Sequence, residues 1–218
     1  MAQGTNNLDT KGLVGQTIGQ KYVIGEYVTG VYRDIKPENF LIGPKNTDKW
    51  CTVCLIDLGF CKSYMESNNS FRSHIPFKKD KPMTGTVRYM SVNNHGAREL
   101  SRRDDIEAMM YMIVFLHKGQ LPWQGVNEPD IKERYRQIGV IKYNTQPSEL
   151  CANMPKIFTD LLTHARKLRF EKRPRYRYYI AHLHLVLSQM GFTMDEQIYD
   201  WDQSHNPKFR TPAVDQTT

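Results

Sequence analysis

The sequence predicts an α+β fold, mostly α, and three observations carry that reading. From Ser101 onward, apolar residues recur at helical spacing through four separate segments. Before Ser101, the ordered-looking runs are short and rich in β-branched and aromatic residues. Hydrophobic content of 39% over 218 residues is enough for a packed core, which excludes wholesale disorder.

Residues 1–30 hold six glycines, and only the stretch 22–28 is β-rich, enough for one or two short strands. Residues 50–56 read as a strand that delivers Asp57. Residues 61–84 are polar and lysine-rich, and are expected to form a long irregular segment. Ser101 is a candidate N-cap for a central buried helix built on Ile106, Met109, Met110, Ile113, Val114 and Leu116, with Gly119 as its stop. Further helices are expected at 129–139, at 155–168 with Ile157, Leu161, Leu162 and Leu168 on one face, and at 175–190. His182 and His184 point in different directions on the last helix and read as surface or packing histidines. The chain divides into a leader at 1–30, a main domain at 31–203 and a loose polar tail at 204–218.

The net charge is +7, which fits an acidic substrate, a nucleic acid or a membrane surface without choosing among them. No aromatic-basic platform points to a specific nucleic acid. No apolar run is long enough to span a membrane. The four cysteines, with no signal-like opening, lead to the expectation of a reducing cytosolic or nuclear location. Cys51 and Cys54 lie on opposite faces of the expected strand. They read as buried thiols, not as half of a metal site.

The chemistry concentrates in one stretch. Asp34 can accept a proton from an attacking hydroxyl, and Lys36 can reach a transferred phosphate. Asn39 offers an amide oxygen, and Asp57 a carboxylate, to Mg²⁺. An Asp, an Asn five residues later and an Asp-x-Gly after a strand together match a protein-kinase pattern. More narrowly, Tyr32-Arg33-Asp34-Ile35-Lys36-Pro37-Glu38-Asn39-Phe40-Leu41-Ile42-Gly43 resembles the catalytic loop of the casein kinase I family of serine/threonine protein kinases, in a branch with Tyr in place of the usual His. Met83-Thr84-Gly85-Thr86-Val87-Arg88-Tyr89-Met90-Ser91-Val92-Asn93 resembles that family's substrate-side loop. Ser101 to Glu107, Leu121 to Gly125 and Lys132 to Tyr135 are similar to further signatures. The resemblance runs from about Val31 to Trp201.

The resemblance implies the C-terminal lobe of the protein-kinase fold, preceded by a vestigial N-terminal β segment, and the use of Mg-ATP, with no structural metal. It implies that Asp105 anchors the catalytic loop and that Thr86 bonds near Asp34 and Lys36. It also implies that Arg88 and Arg134 form a pocket for an acidic or phosphorylated residue of a protein substrate, a task suited to guanidinium groups. Leu58 stands where the family's metal loop carries Phe.

One departure is large. No G-x-G-x-x-G and no Val-Ala-x-Lys occurs, and Lys21 is a poor substitute for the nucleotide-binding lysine. The sequence reads as the family's first strand joined directly to its catalytic loop, with an internal deletion near Gly30 and Val31. Two functions follow as expectations: a serine/threonine kinase acting near acidic or phosphorylated residues, or a non-catalytic kinase lobe that binds such partners. The deletion should also leave the 106–116 helix short of cover, with an exposed apolar patch and marginal stability.

Overall fold

A computed structural model describes residues 30–192, apart from 45, 46, 48–51, 69 and 70 and with only the backbone of 67, 68, 71 and 72, together with the backbone of 17, 18, 22 and 23. Cys51, Lys21 with most of the β-rich stretch at 22–28, and everything after residue 192 lie outside the described residues.

The β structure is small. Strands β1 (Thr17–Ile18) and β2 (Tyr22–Val23) pair with each other, and β3 (Gly30–Val31) pairs with β6 (Lys62–Ser63). Strand β4 (Phe40–Ile42) pairs antiparallel with β5 (Val53–Leu55). Strand β7 (Met65–Asn68) pairs with β8 (Phe71–His74). That last hairpin corrects the expectation of an irregular 61–84. It is held from outside its own sequence, since His74 packs edge-on to Phe170 at 4.8 Å.

Six helices follow among the described residues: α1 (Val92–His95), α2 (Arg102–Lys118), α3 (Ile131–Asn144), α4 (Pro147–Leu150), α5 (Lys156–Lys167) and α6 (Tyr176–Gln189). Helix α2 forms the centre. Asp104 reaches back to accept the Ser101 N–H at 2.8 Å, satisfying a free amide of the first turn. The Asp104 carboxylate also takes Ser91 Oγ at 2.8 Å and Asn93 Nδ2 at 3.0 Å, which staples α1 to α2. Gly119 closes α2 with a φ of 78°, a conformation glycine adopts without strain. Met110, Val114, Leu161 and Leu162 are buried where α2 meets α5, each contributing about 2 kcal/mol through loss of apolar surface to water.

Helix α3 differs from expectation at both ends. It begins at Ile131 because Asp130 caps it, accepting from Lys132 N–H at 2.8 Å. It passes through Gly139, which was expected to end it. That glycine permits close packing instead, since a Cβ there would lie 2.9 Å from His95 Cβ. Helices α1 and α4, only four residues each, carry too little periodicity to be read from sequence.

Several apolar side chains lack cover. Leu116, on α2, is 63% exposed, while Met109 and Ile113 are half-buried. Leu41, Ile42, Val53 and Leu55 of the β4–β5 hairpin are all exposed. Cys54, expected as buried, is half-buried, on the same face of the pair as its exposed partner Leu41. No helix among the described residues is long and apolar enough to cross a membrane.

Burial and the neighbouring Lys142 ammonium push the His95 pKa down to about 3. An unfolded chain protonates this ring below about pH 6.5, so stability tied to His95 is lost as pH falls from there. Between about pH 6 and pH 4 the parent should lose about 1 kcal/mol per pH unit relative to His95→Gln, measured by thermal melts. Parallel pH profiles for the two proteins would contradict this.

Candidate active site

The site is assembled on the chain between β3 and β5. Asp105, in the first turn of α2, accepts the backbone N–H of Tyr32 at 2.7 Å and of Arg33 at 2.9 Å. Burial pushes the Asp105 pKa up to about 7, against the pull of these two amides. The Tyr32 hydroxyl donates to the Ile56 carbonyl, tying the loop to the end of β5. Burial, then the nearby Asp57 and Asp34 carboxylates, push this phenol well up, so it stays a neutral donor.

Arg33 adopts a left-handed φ of 71°, and its Nε donates to the Phe60 carbonyl at 2.6 Å. This turn is possible because Gly85 passes close by. A Cβ on Gly85 would lie 2.3 Å from the Arg33 carbonyl oxygen, and its φ of 92° excludes most side chains as well.

Asp34 is the focus. Lys36 Nζ lies 2.9 Å from Asp34 Oδ2, and Thr86 Oγ1 donates to Asp34 Oδ1 at 2.8 Å. Asn39 Nδ2 donates to the Asp34 carbonyl at 3.0 Å and more weakly to Oδ2 at 3.3 Å. Burial pushes the Asp34 carboxyl up, but the bonds from Lys36 and Thr86 outweigh it and hold it below the usual carboxylate range. The Asp34 contact in turn raises the Lys36 ammonium. At neutral pH the pair is therefore charged, with a carboxylate oriented by three side chains.

Asn39 closes a short helical turn just before β4, and Asp57 lies two residues beyond its partner strand β5. Ile56 N–H donates to the Asn39 carbonyl at 2.9 Å, which sets Asp57 one residue beyond that bridge. Asp57 is exposed, has a left-handed φ of 58°, and accepts the Gly59 N–H at 3.2 Å. An amide oxygen and a carboxylate from these two residues are hard donors of the kind Mg²⁺ takes alongside phosphate oxygens, so the donor set fits that ion.

Arg88 and Arg134 stand apart from this cluster. The Arg88 guanidinium lies 5.0 Å from the Phe115 ring centroid and 5.8 Å from that of Tyr89. Arg134 is half-buried in the first turn of α3. Neither makes an ion pair among the described residues, and the structure records no contact joining the two.

Other residues brace the site without having been singled out in the sequence. Glu99, almost fully buried, pairs with Lys62 at 2.6 Å and Lys81 at 3.5 Å, which draws β6 onto the segment before α2. Trp123 Nε1 donates to the Arg88 carbonyl at 2.8 Å. Lys142 donates to two more carbonyls of the same loop. Its one sequence signal is a lysine four residues after Ile138, on a face of α3 that is otherwise apolar.

Residues 22–185 match the family model described as "Protein kinase domain". The chain is 40% identical over 178 residues to "Casein kinase I homolog 1" of Schizosaccharomyces pombe, covering 82% of this chain and 39% of that protein. It is 44% identical over 171 residues to "Casein kinase I homolog 2" of Saccharomyces cerevisiae, covering 78% of this chain and 31% of the relative. The chain therefore spans well under half the length of these relatives.

Proposed function

The chain belongs to the casein kinase I family of serine/threonine protein kinases, as a partial kinase fold lacking most of the N-terminal lobe, and from that premise we propose a division of its chemistry. It binds acidic or phosphorylated protein segments, presents a Ser or Thr hydroxyl to Asp34, and transfers phosphate slowly because it grips Mg-ATP weakly. The observation that carries this reading is the Asp34 cluster, in which the carboxylate is ionised and oriented by Lys36, Thr86 and Asn39.

In this reading Asp34 accepts the hydroxyl proton as the oxygen attacks. Lys36 sits beside the carboxylate, where it offsets charge on the transferred group. Asn39 and Asp57 would hold Mg-ATP, which supplies the phosphoryl group when bound. Against this, the sequence offers no Gly-rich loop and no strand lysine to close over a triphosphate. That absence favours a second reading, a lobe that binds partners and performs no transfer.

Both readings place the acidic contact on Arg88 and Arg134, whose side chains are free of ion pairs among the described residues. A phosphoserine peptide should bind the chain with an affinity that falls as salt rises. Arg88→Ala should weaken that binding by about tenfold, as for loss of a charge-assisted contact. Isothermal titration measures both, and equal binding by parent and variant would remove the acid-directed part of the proposal.

A further inference from the structure

We propose that Lys142 is a positioning residue that fixes Arg88 against the helix carrying Arg134, so that the two arginines act as one anion site. The proposal rests on the acid-directed reading above.

Lys142 is 0% exposed. Its ammonium donates to the Val87 carbonyl at 2.7 Å and the Met90 carbonyl at 2.8 Å, one on each side of Arg88. Between them, the Trp123 indole donates to the carbonyl of Arg88 itself at 2.8 Å. The same indole ring covers the ammonium, 5.0 Å from its centroid, with Tyr111 at 5.3 Å. No carboxylate bonds to Lys142 among the described residues.

A fully buried lysine on neutral acceptors is costly, and burial pushes its ammonium well below the usual lysine range. Methionine or leucine on this face, beside buried Ile138, would pack without that cost. The charge becomes explicable if the loop must be gripped at two carbonyls. A compact ammonium with several rotatable donors can reach both carbonyls from one point. The gripped segment is short. Thr86 fastens one end to Asp34, and Lys142 fastens the stretch that follows to α3. The base and the specificity residue are thereby held in one frame with Arg134.

The test uses the full chain, a phosphoserine peptide and trypsin. Lys142→Met should weaken peptide binding by about tenfold, comparable to Arg88→Ala, and the double variant should lose no more than the weaker single. A residue acting only through general stability gives additive losses instead. Trypsin should also cut after Arg88 faster in Lys142→Met than in the parent, while cutting at the other sites the two proteins share stays the same. Additive binding losses, or unchanged binding together with unchanged cleavage after Arg88, would overturn the proposal. If Arg88→Ala alone leaves binding unchanged, the acid-directed reading fails, and cleavage after Arg88 then decides the role of Lys142 by itself. Should Lys142→Met not fold, Trp123→Phe takes its place in both assays. It keeps the ring, removes the donor to Arg88, and is expected to shift both readouts in the same direction.

Discussion

Replacing Arg166 by methionine is expected to destabilise the lobe by about 3–5 kcal/mol, the range for breaking a buried ion pair by removing one partner. Arg166 reaches from α5 into the centre of the fold. Its guanidinium donates to the Thr145 carbonyl at 2.7 Å, to Tyr111 Oη at 2.8 Å and to the Lys142 carbonyl at 2.9 Å, and lies 3.5 Å from Glu107. Glu107 is only 1% exposed, and it also accepts the Val92 N–H at 3.1 Å. Without the guanidinium, a carboxylate already pushed up by burial loses its main counter-charge. Protonation relieves that, so the penalty should shrink as pH falls. Adding Glu107→Leu should restore part of the loss, because the charge left behind is then gone. Denaturant unfolding of the three variants measures this. A loss below about 1 kcal/mol for Arg166→Met would mean that the pair is solvent-screened rather than structural.

Gly85→Ala is expected to cost about 3 kcal/mol and to displace the catalytic loop. The added Cβ would meet the Arg33 carbonyl oxygen at 2.3 Å and Asp34 Oδ1 at 3.2 Å, and the backbone holds a φ of 92°. Neither the main-chain oxygen nor the strained φ can yield cheaply. The movement would carry Thr86 away from Asp34, so the Asp34 carboxyl should lose one of the bonds that keep it ionised. A melt shows the stability change, and carbon-detected titration of Asp34 shows the shift upward in its pKa. An alanine variant with the parent's melting temperature and the parent's Asp34 titration would contradict the geometry described for this loop.

The helical part of the molecule is legible in the sequence because its signals are local. Ser101 and Gly119 bound α2 by capping and by a left-handed stop, and both operate within one turn. Helix α5 is visible through Ile157, Leu161 and Leu162 on one face. The misreadings come from contacts made at long range. Gly139 looks like a helix end until His95 is seen packed against it. The β7–β8 hairpin has polar strands and is supported by Phe170, far along the chain.

The site divides in the same way. Asp34, Lys36 and Asn39 lie within six residues, so spacing alone suggests their partnership. Lys142 and Trp123 act on Arg88 through backbone carbonyls, and a carbonyl leaves no trace in side-chain sequence. Leu41, Ile42, Val53 and Leu55 are exposed on both faces of the β4–β5 hairpin, which strand alternation alone does not predict.

The proposed function has the acceptor side of a phosphoryl-transfer site assembled on Asp34, with a weak hold on the nucleotide. The most direct measurement is the rate at which the purified chain phosphorylates an acidic serine peptide with saturating Mg-ATP, beside Asp34→Asn. A rate below about 10⁻² s⁻¹ is expected, far under the 1–100 s⁻¹ typical of protein kinases, with even that lost in Asp34→Asn. Turnover of about 1 s⁻¹ or more that disappears in Asp34→Asn would contradict it.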